Sequence, residues 1–339
     1  MRDRKKCTFV TGLKRLVVAG VVAAMVAVSM GNALGDGIVT VSAATTSSSR
    51  VKINSKAFPD SKFRLYVKYY FDTNSDGYLS QKERNNAELI NARNWKISSF
   101  KGIQYFPNLK YLDCEYNNLT SLDLSNNKKL EKLDCGYNKL TSLDLSRNTK
   151  LKTLFCNNNK LKSLNVRANV ALETFSCMNN KLTSLDISKN TKLNWFYCSN
   201  NELTYVDVSK NTGLENLVCS GNKMTRLDVS KNKKLKKLNV CNNSLKSLTI
   251  GGATALDEVE CSSNKLAVLS TGNTPKLRTL YCDNNSLKTL NVSKSKSLQK
   301  LFCKHNKLTK LDVRKNKKLT AKGGIIDADK GVKIIKKKI

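Results

Sequence analysis

The chain has 339 residues, a formal net charge of +34 and 40% hydrophobic residues, so it is strongly basic and long enough to bury a sizeable core. Its single histidine, His305, excludes histidine-based catalytic triads and histidine-rich zinc sites. No phosphate-binding glycine loop or G-x-S-x-G nucleophile motif occurs, so composition and motifs give no support for an enzyme.

Residues 1–44 are predicted to be a secretory signal peptide. A basic start precedes an apolar run from Leu16 to Met30, and Val41-Ser42-Ala43-Ala44 offers small-residue cleavage sites. The run is shorter than the roughly 20 residues that a membrane span needs, although an uncleaved anchor is the alternative. The mature protein is therefore expected to be secreted or associated with the cell wall, without a membrane span.

A linker (45–56) is expected to lead into a segment with a sharp motif. Residues 72–83, DTNSDGYLSQKE, fit the twelve-residue calcium loop of EF-hands at every position, with Gly77 at the sharp turn. The predicted Ca²⁺ ligands are Asp72, Asn74, Asp76, the carbonyl of Tyr78, Ser80 and Glu83. EF-hands usually pair, and this loop has no partner loop in the chain. The resemblance therefore implies one structural calcium site, and the alternative is a turn that holds no ion.

The loop is flanked by segments that predict a capping element. Residues 58–71 predict a helix with Phe63, Val67, Tyr70 and Phe71 on one face. Residues 97–112 follow as an irregular first repeat with leucine positions filled by Ile97, Phe100 and Ile103. We expect residues 57–108 to cover the open end of the repeats that follow.

Ten repeats of 21 residues run without insertion from residue 109 to residue 318. Their pattern is L-x-x-L-x-C-x-x-N-x-L-x-x-L-D-L-S-x-N-x-x, and coil positions are numbered here from the first leucine of each repeat. This period with these leucines predicts a leucine-rich-repeat solenoid, a mainly β arc with a parallel sheet on its concave side. Residues 319–339, with two short β-like runs at Ile325 and Ile334, are expected to cap the other end.

Cysteine occupies coil position 6 in nine repeats. Because side chains alternate along a strand, positions 4 and 6 share the inward face. Parallel Cβ vectors of stacked coils do not suit a disulfide, so these cysteines are predicted to be buried free thiols. Cys241, at position 7, is predicted to face outward, and chance drift or an exposed reactive thiol are its two explanations. The inward set is Cys114, Cys135, Cys156, Cys177, Cys198, Cys219, Cys261, Cys282 and Cys303.

Asparagine occupies position 9 in all ten repeats, from Asn117 to Asn306. Its amide is expected to pair with backbone groups of its own coil and the neighbouring coil. These residues resemble the 21-residue bacterial repeat class called IRREKO and the internalin-type proteins. The resemblance implies a Gram-positive source and the solenoid fold, and it implies no chemistry.

The concave face predicts a ligand-binding surface because rigid aromatic side chains dominate interface hot spots. The alternative is that aromatics are present because they suit strands. The predicted outward aromatics are Tyr111, Tyr116, Tyr137, Phe155, Trp195, Tyr197, Tyr281 and Phe302. Asp113 and Asp134 share this face in adjacent coils, too close for a glycosidase pair, so no catalytic residue is predicted.

Three functions remain open. A protein or glycan could bind the concave face, or an anionic polymer such as wall teichoic acid or glycosaminoglycan could bind lysines concentrated at positions 18, 20 and 21. The third is a purely structural surface protein with lysines serving solubility. Nucleic acid is disfavoured because the groove itself is close to neutral and has no arginine-rich surface.

Overall fold

The computed structural model describes residues 50–336, so the predicted signal peptide and the first five residues of the linker lie outside the described residues. The described chain begins with strand β1 (Val51–Lys52), helix α1 (Ser61–Phe71), strand β2 (Tyr78–Leu79) and helix α2 (Gln81–Asn86). α1 begins after Asp60, whose carboxylate accepts hydrogen bonds from the Lys62 and Phe63 N–H groups. α2 begins with a capping box between Ser80 and Glu83.

The packed face of α1 is buried at its centre and half-exposed at Tyr70. Phe63, Tyr66 and Val67 are buried, whereas Tyr70, on the same face, is 50% exposed at its border. Tyr66 lies deeper because its hydroxyl accepts a hydrogen bond from the Asn91 N–H at 3.0 Å. That burial raises the pKa of Tyr66 to about 12 by desolvation. Tyr70 packs on the Tyr66 ring from outside, 4.5 Å between ring centroids.

Aromatic side chains join this N-terminal element to the repeats. Phe58 contacts Phe63 at 5.8 Å, and Phe63 contacts Phe100 at 4.6 Å between ring centroids. Gly102 has φ of +111°, and a Cβ there would lie 2.2 Å from the Phe58 ring, so only glycine fits. Ile97, Phe100 and Ile103 are buried in the same hydrophobic cluster as the leucines of the repeats. A short 3₁₀ helix (Ile103–Tyr105) ends this contact region.

Short strands follow at a regular spacing. They are β3 (Leu89–Asn91), β4 (Tyr111–Asp113), β5 (Lys132–Asp134), β6 (Thr153–Phe155), β7 (Thr174–Ser176), β8 (Trp195–Tyr197), β9 (Asn216–Val218), β10 (Arg226–Asp228), β11 (Lys237–Asn239), β12 (Ser247–Thr249), β13 (Glu258–Glu260), β14 (Val268–Ser270), β15 (Thr279–Tyr281), β16 (Thr289–Asn291), β17 (Lys300–Phe302), β18 (Lys310–Asp312), β19 (Ile325–Asp327) and β20 (Lys333–Ile335).

Twelve of these strands form one parallel sheet, one strand per coil, in the order β19, β17, β15, β13, β11, β9, β8, β7, β6, β5, β4, β3. The register is constant, so that Leu133 lies beside Leu112 and Leu154. Each strand covers coil positions 3 to 5. On the other side of the coils, positions 13 to 15 of the later repeats form short parallel pairs β10–β12, β14–β16 and β18–β20.

The inward face is built as the pattern predicts. The leucines at positions 1, 4 and 11 and the nine position-6 cysteines are almost wholly buried, and all ten cysteines of the described chain are free thiols. Burial raises the pKa of thiols such as Cys114, Cys198 and Cys282 well above the ordinary value. These side chains act as small apolar filler at the coil spacing of about 4.8 Å.

The prediction that Cys241 faces solvent was wrong. Cys241 is fully buried, although it lies outside the leucine core. Glu260 of the next coil lies against it, with 4.0 Å from Sγ to Oε2. Position 7 therefore does not expose a thiol here, because a long side chain of the neighbouring coil covers it.

Two asparagine ladders join the coils. At position 9, Asn138 donates to the carbonyls of Cys114 (2.9 Å) and Cys135 (3.1 Å), and its Oδ1 accepts from the Leu119 N–H at 3.0 Å. This confirms the expected contacts with its own and the neighbouring coil. At position 19, Asn169 donates to the Leu145 and Asn148 carbonyls, but its Oδ1 accepts no hydrogen bond.

The C-terminal end consists of helix α3 (Lys317–Thr320) and strands β19 and β20. β19 is the last strand of the twelve-stranded sheet, beside β17, and β20 pairs with β18 on the other side of the coils. The two β-like runs expected at Ile325 and Ile334 are these strands. In the stretch from residue 50 to residue 336, no helix combines the length and apolarity that crossing a bilayer requires.

Candidate functional site

The candidate binding surface is the outward side of the twelve-stranded sheet, here called the sheet face. It consists of the side chains at positions 3, 5 and 7 of each coil, with those of position 8 at its edge, where each strand has ended. The backbone beneath them is held by ladder hydrogen bonds, so these side chains project from a fixed frame. This is the face that the sequence predicts to be concave.

The centre of the sheet face carries Phe155, Trp195 and Tyr197. All three lie outside the leucine core, as the register predicts. However, Phe155 and Tyr197 are each only 8% exposed, so the prediction that they are open to solvent was wrong. They occupy position 5 on alternate strands, with the small Ser176 between them, itself 2% exposed. The two rings cover this gap, and desolvation raises the pKa of Tyr197.

Trp195 is the accessible aromatic of the centre. It lies at position 3 of β8, between Thr174 and Asn216 on the neighbouring strands, and it is partly exposed. Met178 and Val218 are also partly exposed nearby on the sheet face. The centre therefore offers an indole edge with apolar neighbours rather than a broad aromatic patch.

Stacked aromatic pairs lie towards the two ends of the repeats. Tyr116 and Tyr137 stack at 4.2 Å with 14° between ring planes, and the Arg93 guanidinium lies 4.6 Å from the Tyr116 centroid. Both tyrosines have left-handed backbone, as do most residues at position 8. Tyr111 lies on the same end and is 38% exposed.

The C-terminal pair is Tyr281 and Phe302, on β15 and β17. Their rings stack at 4.6 Å with 8° between planes, and both are partly exposed. They follow directly from the in-register pairing of their strands. The predicted aromatic residues thus fall into three separate groups, and Phe155 and Tyr197 are covered within the central one.

An acidic cluster at the N-terminal end was only partly visible in the sequence. Asp113, Glu115 and Asp134 bring carboxylate oxygens within 4.8 Å of one another, and Arg93 forms an ion pair with Glu115. Desolvation raises the pKa of Asp134 to about 6, against a lowering by the Gly136 N–H, and Asp113 raises it further. Position 5 alone indicates the Asp113–Asp134 pair, whereas Glu115 joins it from position 7.

A second polar group lies buried on the sheet face. Asn239 and Glu260 are 5% and 6% exposed, and Asn239 donates to Glu260 Oε2 at 2.7 Å. Together with Cys241 they close the surface between Val218 and Tyr281. This group separates the central aromatic residues from the C-terminal pair, a division that coil positions alone do not reveal.

The predicted calcium loop adopts a tight, internally bonded turn. Asp72 Oδ1 accepts from the Asp76 N–H and Oδ2 from the Gly77 N–H, both at 3.1 Å. Asp76 Oδ1 accepts from the Tyr78 N–H at 2.8 Å, and its Oδ2 lies 3.1 Å from the Arg50 guanidinium. Ser75 and Gly77 take the left-handed backbone that such a turn needs.

Glu83 closes the loop. Its Oε1 accepts from the Thr73 N–H and hydroxyl at 2.7 Å, and its Oε2 from the Ser80 N–H and hydroxyl at 2.8 Å. Desolvation raises the pKa of Glu83, but these hydrogen bonds outweigh it and lower the pKa to about 2. The loop strand β2 pairs antiparallel with β1, so Val51–Lys52 occupies the edge where a second loop would otherwise lie.

Comparison with known proteins decides the fold. Residues 107–148 and 128–169 match the family described as Leucine Rich repeats (2 copies). The functional domain of InlJ from Listeria monocytogenes, which includes a cysteine ladder, is 35% identical, with a TM-score of 0.75 over 84% of this chain. The chain folds as a leucine-rich-repeat solenoid. It spans only 62% of that InlJ chain.

Other leucine-rich-repeat proteins share the solenoid at lower identity. An internalin (inlF) from Listeria monocytogenes is 22% identical, with a TM-score of 0.50 over 84% of this chain and 99% of that one. YopM, a leucine-rich effector protein from Yersinia pestis, is 21% identical, with a TM-score of 0.57 over 73% of this chain and 65% of that one. No curated protein sequence matches the chain. These two structures show the fold alone.

Proposed function

We propose that this leucine-rich-repeat solenoid is a secreted or surface-associated bacterial recognition module that binds a protein through its sheet face. The observation that carries the proposal is the set of partly exposed aromatics fixed on the sheet: Trp195, the Tyr116–Tyr137 stack and the Tyr281–Phe302 stack. Aromatic side chains on a rigid frame bury large areas at little cost in conformational entropy. A glycan is the alternative ligand for the same face.

The three groups imply an extended ligand. Adjacent coils are about 4.8 Å apart, and eight coils separate Tyr111 from Tyr281 along the sheet. A partner that touched all three would span roughly 40 Å, which suits a folded protein surface better than a short sugar. The buried Asn239–Glu260 pair separates two of these groups, so the partner would contact the aromatics on either side of it.

We propose a binding role without catalysis. The inward thiols are buried, and burial raises their pKa, which disfavours the thiolate that a nucleophile needs. His305 is exposed and has no nucleophile beside it in the described contacts. Both features are expected of a binding protein rather than of an enzyme that uses a thiol or histidine.

The test compares single substitutions on and off the sheet face. Trp195→Ala should weaken capture of a surface partner at least tenfold, since central aromatic truncations typically cost more than 1.4 kcal/mol. Tyr205→Ala is the matched control, because Tyr205 is an exposed aromatic (41%) at position 13, on the opposite side of the coils. Equal effects of the two substitutions on affinity, measured by biolayer interferometry with the captured partner, would contradict the proposal.

We also propose that one Ca²⁺ binds the loop from Asp72 to Glu83 and stabilises the cap. The residues fit the ion: Asp72 and Glu83 are 5% and 9% exposed, and neither forms an ion pair within residues 50–336. Hydrogen bonds from the loop's own N–H and hydroxyl groups hold these carboxylates in the ionised form, and Ca²⁺ prefers such oxygen ligands. Asp72, Asn74, Asp76, Ser80, Glu83 and the Tyr78 carbonyl would hold it, and bound Ca²⁺ would supply charge neutralisation only.

Calorimetry tests the calcium proposal directly. With a dissociation constant near 1 mM, as in extracellular modules, 10 mM CaCl₂ should stabilise the protein by about 1.4 kcal/mol and raise its Tm. MgCl₂ at equal ionic strength is the control for salt. Glu83→Gln retains a helix-capping side chain but removes a ligand charge, and it should abolish the shift. A Tm unchanged by CaCl₂ would reject the site.

A further inference from the structure

The repeats carry fifteen lysines at positions 18, 20 and 21, a surface called here the lysine edge. No acidic residue occupies these positions, and Arg147 is the sole arginine there. All fifteen lysines are exposed, and none forms an ion pair with a carboxylate in the structure. They are Lys128, Lys129, Lys150, Lys189, Lys192, Lys210, Lys231, Lys233, Lys234, Lys276, Lys294, Lys296, Lys315, Lys317 and Lys318.

Lysines elsewhere on the coils behave differently. At position 2, Lys110, Lys152 and Lys236 each lie 2.8 Å from a glutamate of the preceding coil. The chain thus neutralises its position-2 lysines in regular inter-coil ion pairs. The lysines of the lysine edge have no such carboxylate partners. Solubility requires a net charge but not this difference between the two sets of lysines.

The spacing along the edge indicates the shape of a ligand. Two coils carry no charge on the edge, with Ala168, Val170 and Ala171 in one and Gly252, Thr254 and Ala255 in the other. The lysines therefore form three blocks, the central one holding six lysines over three coils. Blocks separated by bare coils suit a flexible polyanion, which can loop across a gap, better than a rigid one.

The residue types indicate its chemistry. Lysine binds phosphate as a point charge, whereas arginine is favoured for bidentate recognition of planar groups. No aromatic residue occupies positions 17 to 21 in any repeat, so the edge has no stacking platform for nucleic-acid bases. We propose that the lysine edge binds a flexible linear polymer of phosphodiester groups without bases, a polyol phosphate.

This binding is independent of the sheet face, so one molecule can hold the polymer and the recognition partner together. Residues at positions 18, 20 and 21 follow the turn after the position-14 leucine and share no strand with Trp195. A polymer-bound molecule would keep its sheet face available.

The test measures binding of fluorescent poly(glycerol phosphate) by anisotropy from 50 to 200 mM NaCl. Contacts with the six lysines of the central block predict a fall in affinity of about 300-fold over this range. Replacing the three lysines of repeat 6 (K231Q/K233Q/K234Q) should reduce the log–log salt slope by about 2 and weaken binding at least fivefold at 50 mM. The matched control K110Q/K152Q/K236Q makes the same change in net charge at ion-paired sites, and should change affinity less than twofold.

The outcomes separate the proposal from its rivals. Equal weakening by both triple variants would show that net charge alone attracts the polymer, and would overturn a localised edge. Tighter binding of a heparin-type sulfated polysaccharide or of oligo-dT at matched charge concentration would overturn the phosphodiester assignment. Wild-type circular dichroism spectra for both variants verify folding, which the surface positions of these lysines lead us to expect.

Discussion

Removing an asparagine side chain should destabilise the protein much more in the position-9 ladder than in the position-19 ladder. Asn180 at position 9 donates to the carbonyls of Cys156 and Cys177, and its Oδ1 accepts from the Leu161 N–H at 3.0 Å. Asn180→Ala leaves that buried N–H without an acceptor, at about 1–3 kcal/mol. Lost hydrogen bonds to the two carbonyls add about 1–2 kcal/mol. We expect a total destabilisation of about 3–4 kcal/mol.

Asn169 at position 19 is the matched comparison. It is as deeply buried, but it only donates, to the Leu145 and Asn148 carbonyls, and its Oδ1 accepts no hydrogen bond. Asn169→Ala therefore leaves no N–H without an acceptor, and it removes an unpaired oxygen. We expect it to lower the free energy of unfolding by about 1–2 kcal/mol. The chain itself supports this difference, since position 19 carries Ala253, whereas position 9 is asparagine in every repeat.

Urea denaturation followed by circular dichroism measures both substitutions. Free energies extrapolated to water should differ by about 2 kcal/mol, with Asn180→Ala the more destabilised. Asn180→Asp is a useful control, because it retains the oxygen that accepts from Leu161 but loses the donors. Equal losses of stability for Asn180→Ala and Asn169→Ala would refute the view that a buried N–H without an acceptor accounts for most of the Asn180→Ala effect.

Three further outcomes are expected. Asp134 has a folded pKa of about 6 against 3.8 unfolded, so its contribution to stability is complete below about pH 4 and is lost as pH rises to 6. Asp134→Asn should therefore raise the free energy of unfolding at pH 8 by about 1–2 kcal/mol, and with it the Tm, but should change neither at pH 4; no pH dependence in the difference would contradict this. Glu83, with a pKa lowered to about 2, contributes stability above pH 4.5 that is lost towards pH 2, so Glu83→Gln should converge with wild type in acid melts. The ten described cysteines should resist a thiol reagent at pH 8 in native protein and react in 6 M guanidinium chloride, whereas protection that persists there would indicate disulfides.

The sequence predicted which way side chains face better than how exposed they are. Leu, Cys and Asn positions follow from strand alternation and a period without insertions, and these lie as expected. The exposure of Phe155 and Tyr197 depends on the size of Ser176 between them, and that of Cys241 on Glu260 of the next coil. Such contacts join residues 19 or 21 apart, so they appear only when neighbouring repeats are compared column by column.

In the N-terminal cap the motif predicted the loop residues but not the strand that pairs with the loop. The motif gave the oxygen-bearing residues from Asp72 to Glu83, because each has a fixed place in a twelve-residue loop. It gave no sign that Val51–Lys52 pairs with Tyr78–Leu79, since two residues are too few to predict a strand. The helical pattern placed Tyr70 on the packed face of α1, but it did not show that Tyr70 lies at the border of that face and is half-exposed.

The constant inter-coil joint makes the molecule modular in length. Nine of the ten position-9 asparagines donate to the carbonyl 24 residues before them, that of a cysteine in eight cases, so excising 172–192 would bring two matching surfaces together and shorten the stack by about 4.8 Å. The same exchange would fail in coils 7 to 9, where Ala253, Thr274 and Ser295 replace the asparagine of the second ladder, and Thr274 and Ser295 form a hydroxyl cluster with Thr271. Gene duplication could therefore lengthen the first half in steps of one repeat. In the second half the contacts between neighbouring coils differ from one another, so its coils are not interchangeable.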